Sequence, residues 1–316
     1  MKFLPRFICI PLGVEGGLNE NNLPAYLLAC LGTSDFICLD AGTLLSGLRI
    51  AFQKKAFSEF QLRKDDNLSP EGIILHHHLK AYLITHPYLD HVEGLVVISP
   101  NDTAKPIIGT EVVLNDLRDH LFNWHVWPNL CNTGAAPAVG QYTYVVLKQG
   151  EPVPMQGTQM SVTAFPLAHG QDTDSTAFLI ESKGAVVVYM GDTGPDEVEK
   201  RMTTESLWHQ LAPLIRDRKV HGIFIETSYP DERPDNMLFS HLTPAWVMHS
   251  FRKLADLVDS NDPQKALSGL NVIITHIKPD LTSRRRPREI VRDQLLSHND
   301  LGLNLIFAEQ GNPIEL

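Results

Sequence analysis

Apolar residues along this chain come in short runs rich in Val, Ile and Phe and bounded by Gly, Pro or Asp, which reads as strands. The runs predict strands at Phe3–Ile10, Ala25–Cys30, Phe36–Leu39, Ala81–Thr85, Tyr142–Leu147, Gln159–Phe165, Ser175–Glu181, Ala185–Met190, Val220–Ile225, Asn271–Thr275 and Leu303–Phe307. Helical patterns predict helices near Pro70–Leu79, Thr204–Arg218, Pro244–Ser260 and Pro287–Ser297. Thr243 before Pro244 supplies an N-cap followed by Pro at the first helical position, and Pro287 opens the next helix in the same way. The strands fall into hairpin-like groups with helices between them in both halves. That grouping predicts an α/β fold of two mixed sheets packed together with helices outside, forming one domain over residues 1–316. Residues 123–140 carry neither period and predict a long loop or lid.

Composition narrows the partners. The chain has 316 residues, 43% of them hydrophobic, enough for a sizeable core. A net charge of -10 argues against nucleic-acid and anionic-membrane binding, which need a basic surface. It leaves room for a small anionic ligand, because a bound metal reverses the local field. Cys9, Cys30, Cys38 and Cys131 form no CxxC pair and read as reduced core residues. The apolar start is broken by Pro5 and Arg6, with no small-residue cleavage site after it. No run reaches the roughly 18 apolar residues of a membrane span. A cytoplasmic protein is expected, or a periplasmic one if a leader has been removed.

The stretch Thr85-His-Pro-Tyr-Leu-Asp-His-Val-Glu-Gly-Leu95 carries the chemistry. It places His86, Asp90 and His91 directly after a strand, with Gly94 expected to free the backbone for a turn. Imidazole and carboxylate so close together suit zinc or a similar divalent ion. Other polar residues follow strand ends: Asp40, His169, Asp192, Glu226 and His276. Side chains that share one sheet edge converge beyond the carboxyl ends of the strands, where open sheets bind ligands. The triple His76-His77-His78 is a weaker metal candidate, because neighbours on a helix point to different faces. Arg284, Arg285, Arg286 and Arg288 read mainly as solvated surface.

At these residues the chain resembles the metallo-β-lactamase superfamily and, within it, the class II cyclic-nucleotide phosphodiesterases. The general motifs are Leu39-Asp-Ala-Gly42, the His86–His91 segment, His169, Gly191-Asp192 and His276. The narrower signals are Gly13-Val-Glu-Gly-Gly-Leu-Asn-Glu20, Leu95-Val-Val-Ile-Ser-Pro100, Trp127-Pro-Asn129, Ile225-Glu-Thr-Ser228, His241-Leu-Thr-Pro244 and His276-Ile-Lys-Pro279. The resemblance implies an αββα sandwich with two metals at one edge. One metal would take His86, the residue at 88, His169 and Asp192; the other would take Asp90, His91, His276 and the bridging Asp192. The family pattern has His where Tyr88 stands, and an un-ionised phenol is a poor ligand. The first site is therefore expected to be weakened, or only the second filled.

The same resemblance implies hydrolysis of 3′,5′-cyclic nucleotides (cAMP or cGMP) to 5′-nucleotides by a metal-bound hydroxide, with Zn2+ as cofactor. Asp90 would bind metal and orient the nucleophile. His241 would donate to a phosphate oxygen or protonate the leaving group, unless it serves only to cap or pack. Thr243 reads as an N-cap, and Asp40 and Glu226 would fix ligand histidines through their other ring nitrogens. Phe122, Trp124 and Trp127 are candidates for stacking a base or for core and lid roles. A homodimer stays open. The alternatives are another hydrolase on this scaffold, acting on a different phosphodiester, a lactone or a thioester, and a non-catalytic nucleotide- or metal-binding protein.

Overall fold

A computed structural model describes residues 6–170, 174–282 and 284–316. Residues 3–5 of the first predicted strand lie outside the described residues. The strands are β1 (Phe7–Gly13), β2 (Ala25–Cys30), β3 (Phe36–Leu39), β4 (Leu79–Leu83), β5 (Lys105–Gly109), β6 (Tyr142–Val146), β7 (Val153–Pro154), β8 (Ser161–Ala168), β9 (Asp174–Ser182), β10 (Ala185–Met190), β11 (Val220–Glu226), β12 (Asn271–Thr275), β13 (Asn304–Phe307) and β14 (Ile314–Glu315). They form two mixed sheets, ordered β14-β1-β2-β3-β4-β5-β6 and β13-β12-β11-β10-β9-β8-β7. Strands β3 to β6 run parallel in the first sheet, and β10 to β13 in the second.

Alternation along the strands explains the layering. In β10, Val186, Val188 and Met190 face the helices Thr203–Arg216 and Pro244–Val258. Ala185, Val187 and Tyr189, on the opposite face, join Phe7, Cys9, Tyr26 and Leu28 of the first sheet in a core between the sheets. Ile8, Ile10 and Leu12 point outward to pack with Leu44, Leu48 and Ala51. Three apolar layers in this order make an αββα sandwich. The central strands are buried on both faces, so they read as continuous apolar runs rather than as alternation.

Four local expectations are corrected. Strand β5 begins Lys105-Pro106, which hid it from a hydrophobic reading; Lys105 is buried against Asp102, which also accepts the Tyr82 and Tyr142 hydroxyls at 2.8 Å each. The segment Pro70–Leu79 is a short helix, Pro70–Ile73, that passes through one π-helical turn, Ile74–His78, into β4. The helices Leu45–Gln53 and Glu111–Asp116 were not foreseen. Gly94 does not make a turn. It lies within the helix Leu89–Ile98, where a Cβ would stand 2.8 Å from the Ala41 carbonyl oxygen and 2.9 Å from that of Gly42. Its missing side chain lets this helix dock on the loop after β3, sealed by Gly94 N–H to Gly42 O at 2.9 Å and Leu95 N–H to Ala41 O at 3.1 Å. Thr243 caps its helix as expected. The four cysteines are buried and free. No helix among the described residues is long and apolar enough to cross a membrane.

Candidate metal centre

The carboxyl ends of strands from both sheets meet at one edge. Asp40 follows β3, His86 lies just beyond β4, and Asp90 and His91 stand in the first turn of the helix Leu89–Ile98. His169 follows β8, Asp192 lies just beyond β10, Glu226 ends β11 and His276 follows β12. Two groups form with ligand atoms within 4.8 Å of one another: His86, His169 and Asp192, and Asp90, His91 and His276. Asp192 lies between the two, its Oδ2 3.3 Å from His91 Nε2, 3.1 Å from His276 Nε2 and 3.9 Å from His86 Nε2.

The donor set fits a divalent cation. His86 Nε2 and His169 Nε2 are buried with no hydrogen-bond partner, an arrangement that is costly unless something else is bound there. His91 Nε2 and His276 Nε2 face each other at 3.2 Å, and Asp90 Oδ2 lies 3.3 Å from the latter. Asp192 is buried, which opposes ionisation, yet the surrounding imidazoles hold its carboxyl well below the usual range. Burial likewise opposes charge on His91, but Asp192 and Asp40 raise it well above an ordinary imidazole. Burial instead holds His86, His169 and His276 below the ordinary imidazole range, so they stay neutral and keep the lone pairs that a cation takes.

The supporting shell fixes ring orientation. Asp40 accepts His91 Nδ1–H at 2.9 Å, the Tyr189 hydroxyl at 2.8 Å and the Thr85 N–H at 2.8 Å. Its φ of +51° turns the carboxylate back into the site, a conformation that Asp tolerates better than most residues. His169 Nδ1 bonds the Ser240 carbonyl at 3.0 Å, His86 Nδ1 lies 3.0 Å from Thr85 Oγ1, and His276 Nδ1 lies 2.9 Å from Ser228 Oγ. In each case Nε2 is the nitrogen left for the cluster. Gly17 N–H donates to Asp90 Oδ2 at 3.1 Å.

All six residues expected to hold metal, His86, Asp90, His91, His169, Asp192 and His276, are thus brought together. Tyr88 is not drawn into the cluster. It is the N-cap of the helix Leu89–Ile98, half-exposed, with its ring 4.9 Å from that of His86 and 5.2 Å from that of His169. Its hydroxyl satisfies neither imidazole, since both Nε2 atoms stay unpartnered.

Glu226 departs from the expected pattern. Its Oε1 meets His241 Nδ1 at 2.8 Å directly, and it reaches His276 Nδ1 through Ser228, whose hydroxyl donates to Oε2 at 2.7 Å. His241 is buried, stacks on His276 at 5.4 Å between ring centroids, and forms a third ligand-capable group with Asp192 and His276. Sequence reasoning missed Thr85, Tyr189, Ser228, Ser240 and Gly17; apart from Tyr189, which lies inside a predicted strand, each adjoins or lies within a quoted motif, but nothing in the pattern marked it as a partner.

Other candidates are engaged by partners outside the ligand set. Phe122 is fully buried in the core outside the first sheet, where it cannot stack a base. Trp127 donates to Ser99 Oγ at 3.0 Å and Trp124 to the Pro137 carbonyl at 3.0 Å. The residues of the histidine triple each have local partners: His76 with Asn101 O, His77 with Asp65, and His78 with Ser34 O and the Arg63 N–H. Arg285 pairs with Asp293, and Arg288 donates to the Ala308 carbonyl.

The family model described as cAMP phosphodiesterases class-II matches residues 5–311. The chain belongs to this class-II cAMP phosphodiesterase family. It is 40% identical over 309 residues to a 3′,5′-cyclic-nucleotide phosphodiesterase of Aliivibrio fischeri, covering 98% of this chain and 92% of that one. In fold it matches a crystal structure of unliganded yeast PDE1 with a TM-score of 0.85 and 24% identity, covering 99% of this chain and 100% of the other. The metallo-β-lactamase fold protein YhfI of Bacillus subtilis matches with a TM-score of 0.61 and 13% identity, covering 98% of this chain and 99% of its own. The fold is therefore that of the metallo-β-lactamases, which implies a divalent metal at the site.

Proposed function

We propose that this class-II phosphodiesterase hydrolyses 3′,5′-cyclic nucleotides to 5′-nucleotides at the strand-end cluster, with both sheets serving one hydrolase domain. The observation that carries the reading is the convergence of unpartnered His86 Nε2 and His169 Nε2 with Asp192, beside the second set of Asp90, His91 and His276. The imidazole and carboxylate donors favour zinc. A divalent cation, when bound, supplies Lewis-acid stabilisation of phosphoryl charge and lowers the pKa of a coordinated water.

The chain's own residues then have distinct tasks. Asp192 spans both ligand sets. Asp90, restrained by Gly17 N–H, presents its carboxylate on the open side of the cluster. His241 and Glu226 share one proton: burial, with Asp192 beside it, pushes the Glu226 carboxyl up to about 7, while burial pulls His241 down to about 4. With Glu226 donating to Nδ1, the proton of the neutral His241 ring sits at Nε2, from which it can pass to the leaving ribose oxygen as Nδ1 takes the Glu226 proton.

Incubation with cAMP and cGMP tests the reading, alongside a lactone and metal analysis per chain. The expected result is 5′-nucleotide product, lost on chelation and in Asp192→Ala. A metal-loaded protein that leaves both cyclic nucleotides intact overturns it.

A further inference from the structure

Beside the metal centre lies a cleft of about 680 Å3 lined by Gly16, Gly17, Tyr229, Arg233, Lys278 and Pro279 among others. Its volume is within the usual range for a small-ligand site. Lys278 lies two residues beyond His276, half-buried, with its backbone N–H fixed to the Ser228 carbonyl at 3.1 Å. Its ammonium has no carboxylate partner among the described residues. It stands 3.9 Å from where a Cβ on Gly17 would be, and Gly17 itself donates to Asp90. The backbone before it is pressed flat on the cluster, since a Cβ on Gly16 would meet the His276 ring at 2.4 Å. Tyr229 begins the opposite wall, 5.8 Å from the His241 ring, and carries the Arg233 guanidinium 4.5 Å above its own ring.

The cluster presents Asp90 and Asp192 to an anionic phosphodiester, in a chain of net charge -10. An uncommitted ammonium at the rim offsets that repulsion, and Lys serves well as a point charge for phosphate. A flat guanidinium-on-aromatic stack suits a purine or pyrimidine face. We propose that Lys278 pairs with the substrate phosphate and that the cleft it lines receives the nucleoside, with the base against the Arg233–Tyr229 stack. The proposal rests on the phosphodiesterase reading and adds to it where the nucleotide lies.

The test compares wild type, Lys278→Gln and Lys278→Arg on cAMP and on bis(p-nitrophenyl) phosphate, with 5′-AMP binding by calorimetry and metal content per chain. Lys278→Gln is expected to lower kcat/KM for cAMP about 10- to 100-fold, the scale of one charged hydrogen bond, and to weaken 5′-AMP binding while metal content is unchanged. Lys278→Arg is expected to stay within about fivefold of wild type, because the charge is kept. Arg233→Ala is expected to raise KM for cAMP about fivefold or more and to spare the nitrophenyl substrate, which has no base. A Lys278→Gln protein within threefold of wild type in turnover and 5′-AMP affinity overturns the proposal, as does metal loss in step with activity. If wild type hydrolyses neither substrate, the phosphodiesterase reading falls. Binding of 5′-AMP then still decides the role of Lys278.

Discussion

Asp40→Asn isolates the link between ring orientation and metal affinity. Asp40 is fully buried, and its two oxygens receive Thr85 N–H, Thr85 O–H, Tyr189 O–H and His91 Nδ1–H. Asparagine keeps the shape and tolerates the positive φ, so it leaves no cavity and adds little strain. Its amide nitrogen cannot take the Oδ1 place, because the Thr85 N–H there can only donate. It must take the Oδ2 place, 2.9 Å from His91 Nδ1. The Tyr189 hydroxyl can rotate to accept, but His91 can accept at Nδ1 only by moving its proton to Nε2. That removes the lone pair facing Asp192 and His276. Leaving the amide mispaired instead costs about 1.5–3 kcal/mol, as for a hydrogen bond to a charged group. Either route predicts a loss of cation affinity of about 10- to 100-fold, the usual size of such outer effects. Titrating the metal-free protein with zinc against a chromophoric chelator reads this directly, with circular dichroism as the control for folding. An Asp40→Asn protein that holds the cation within threefold of wild type would refute the tautomer argument.

Three further outcomes are expected. Tyr88→His supplies the imidazole missing from the set of His86 and His169, so elemental analysis should find tighter retention of a second metal, while Tyr88→Phe should match wild type because the hydroxyl satisfies neither ring. Gly94→Ala forces a Cβ to within 2.9 Å of backbone oxygens and should cost about 1–3 kcal/mol in chemical denaturation; a neutral result would mean that the helix–loop seam is loose. His78 accepts the Arg63 N–H at Nε2 and is held neutral, its pKa lowered chiefly by burial. Because the folded pKa lies below the unfolded value of about 6.5, the unfolded chain binds the extra proton first. Its stabilisation is therefore whole above about pH 6.5 and is lost as pH falls from there toward the folded pKa. The gap in urea midpoint between wild type and His78→Gln should shrink between pH 7.5 and pH 5, and a constant gap would contradict this.

Much of the fold was legible because the central strands are apolar on both faces; Ala25–Cys30, Phe36–Leu39, Ala185–Met190 and Asn271–Thr275 appear with the predicted bounds. The polar residues that end those strands were equally visible, since a carboxylate or imidazole after an apolar run is a local signal. What the sequence could not supply was register between distant segments. Lys105 and Pro106 hid β5 because their fit depends on Asp102 and on parallel partners β4 and β6. Gly94 looked like a turn because its reason for being small is the backbone at Ala41 and Gly42, far away along the chain. Glu226 was expected behind a metal ligand, yet tertiary packing set it behind His241. Tyr88 was plainly out of pattern in the sequence, but only the folded geometry places its ring beside His86 and His169 without satisfying either. Residue types at strand ends fix which chemistry is available, through local bonding and hydrophobic period. Which nitrogen faces which oxygen is decided by hydrogen bonds between residues such as Asp40 and Tyr189, whose 149 positions of separation only folding removes.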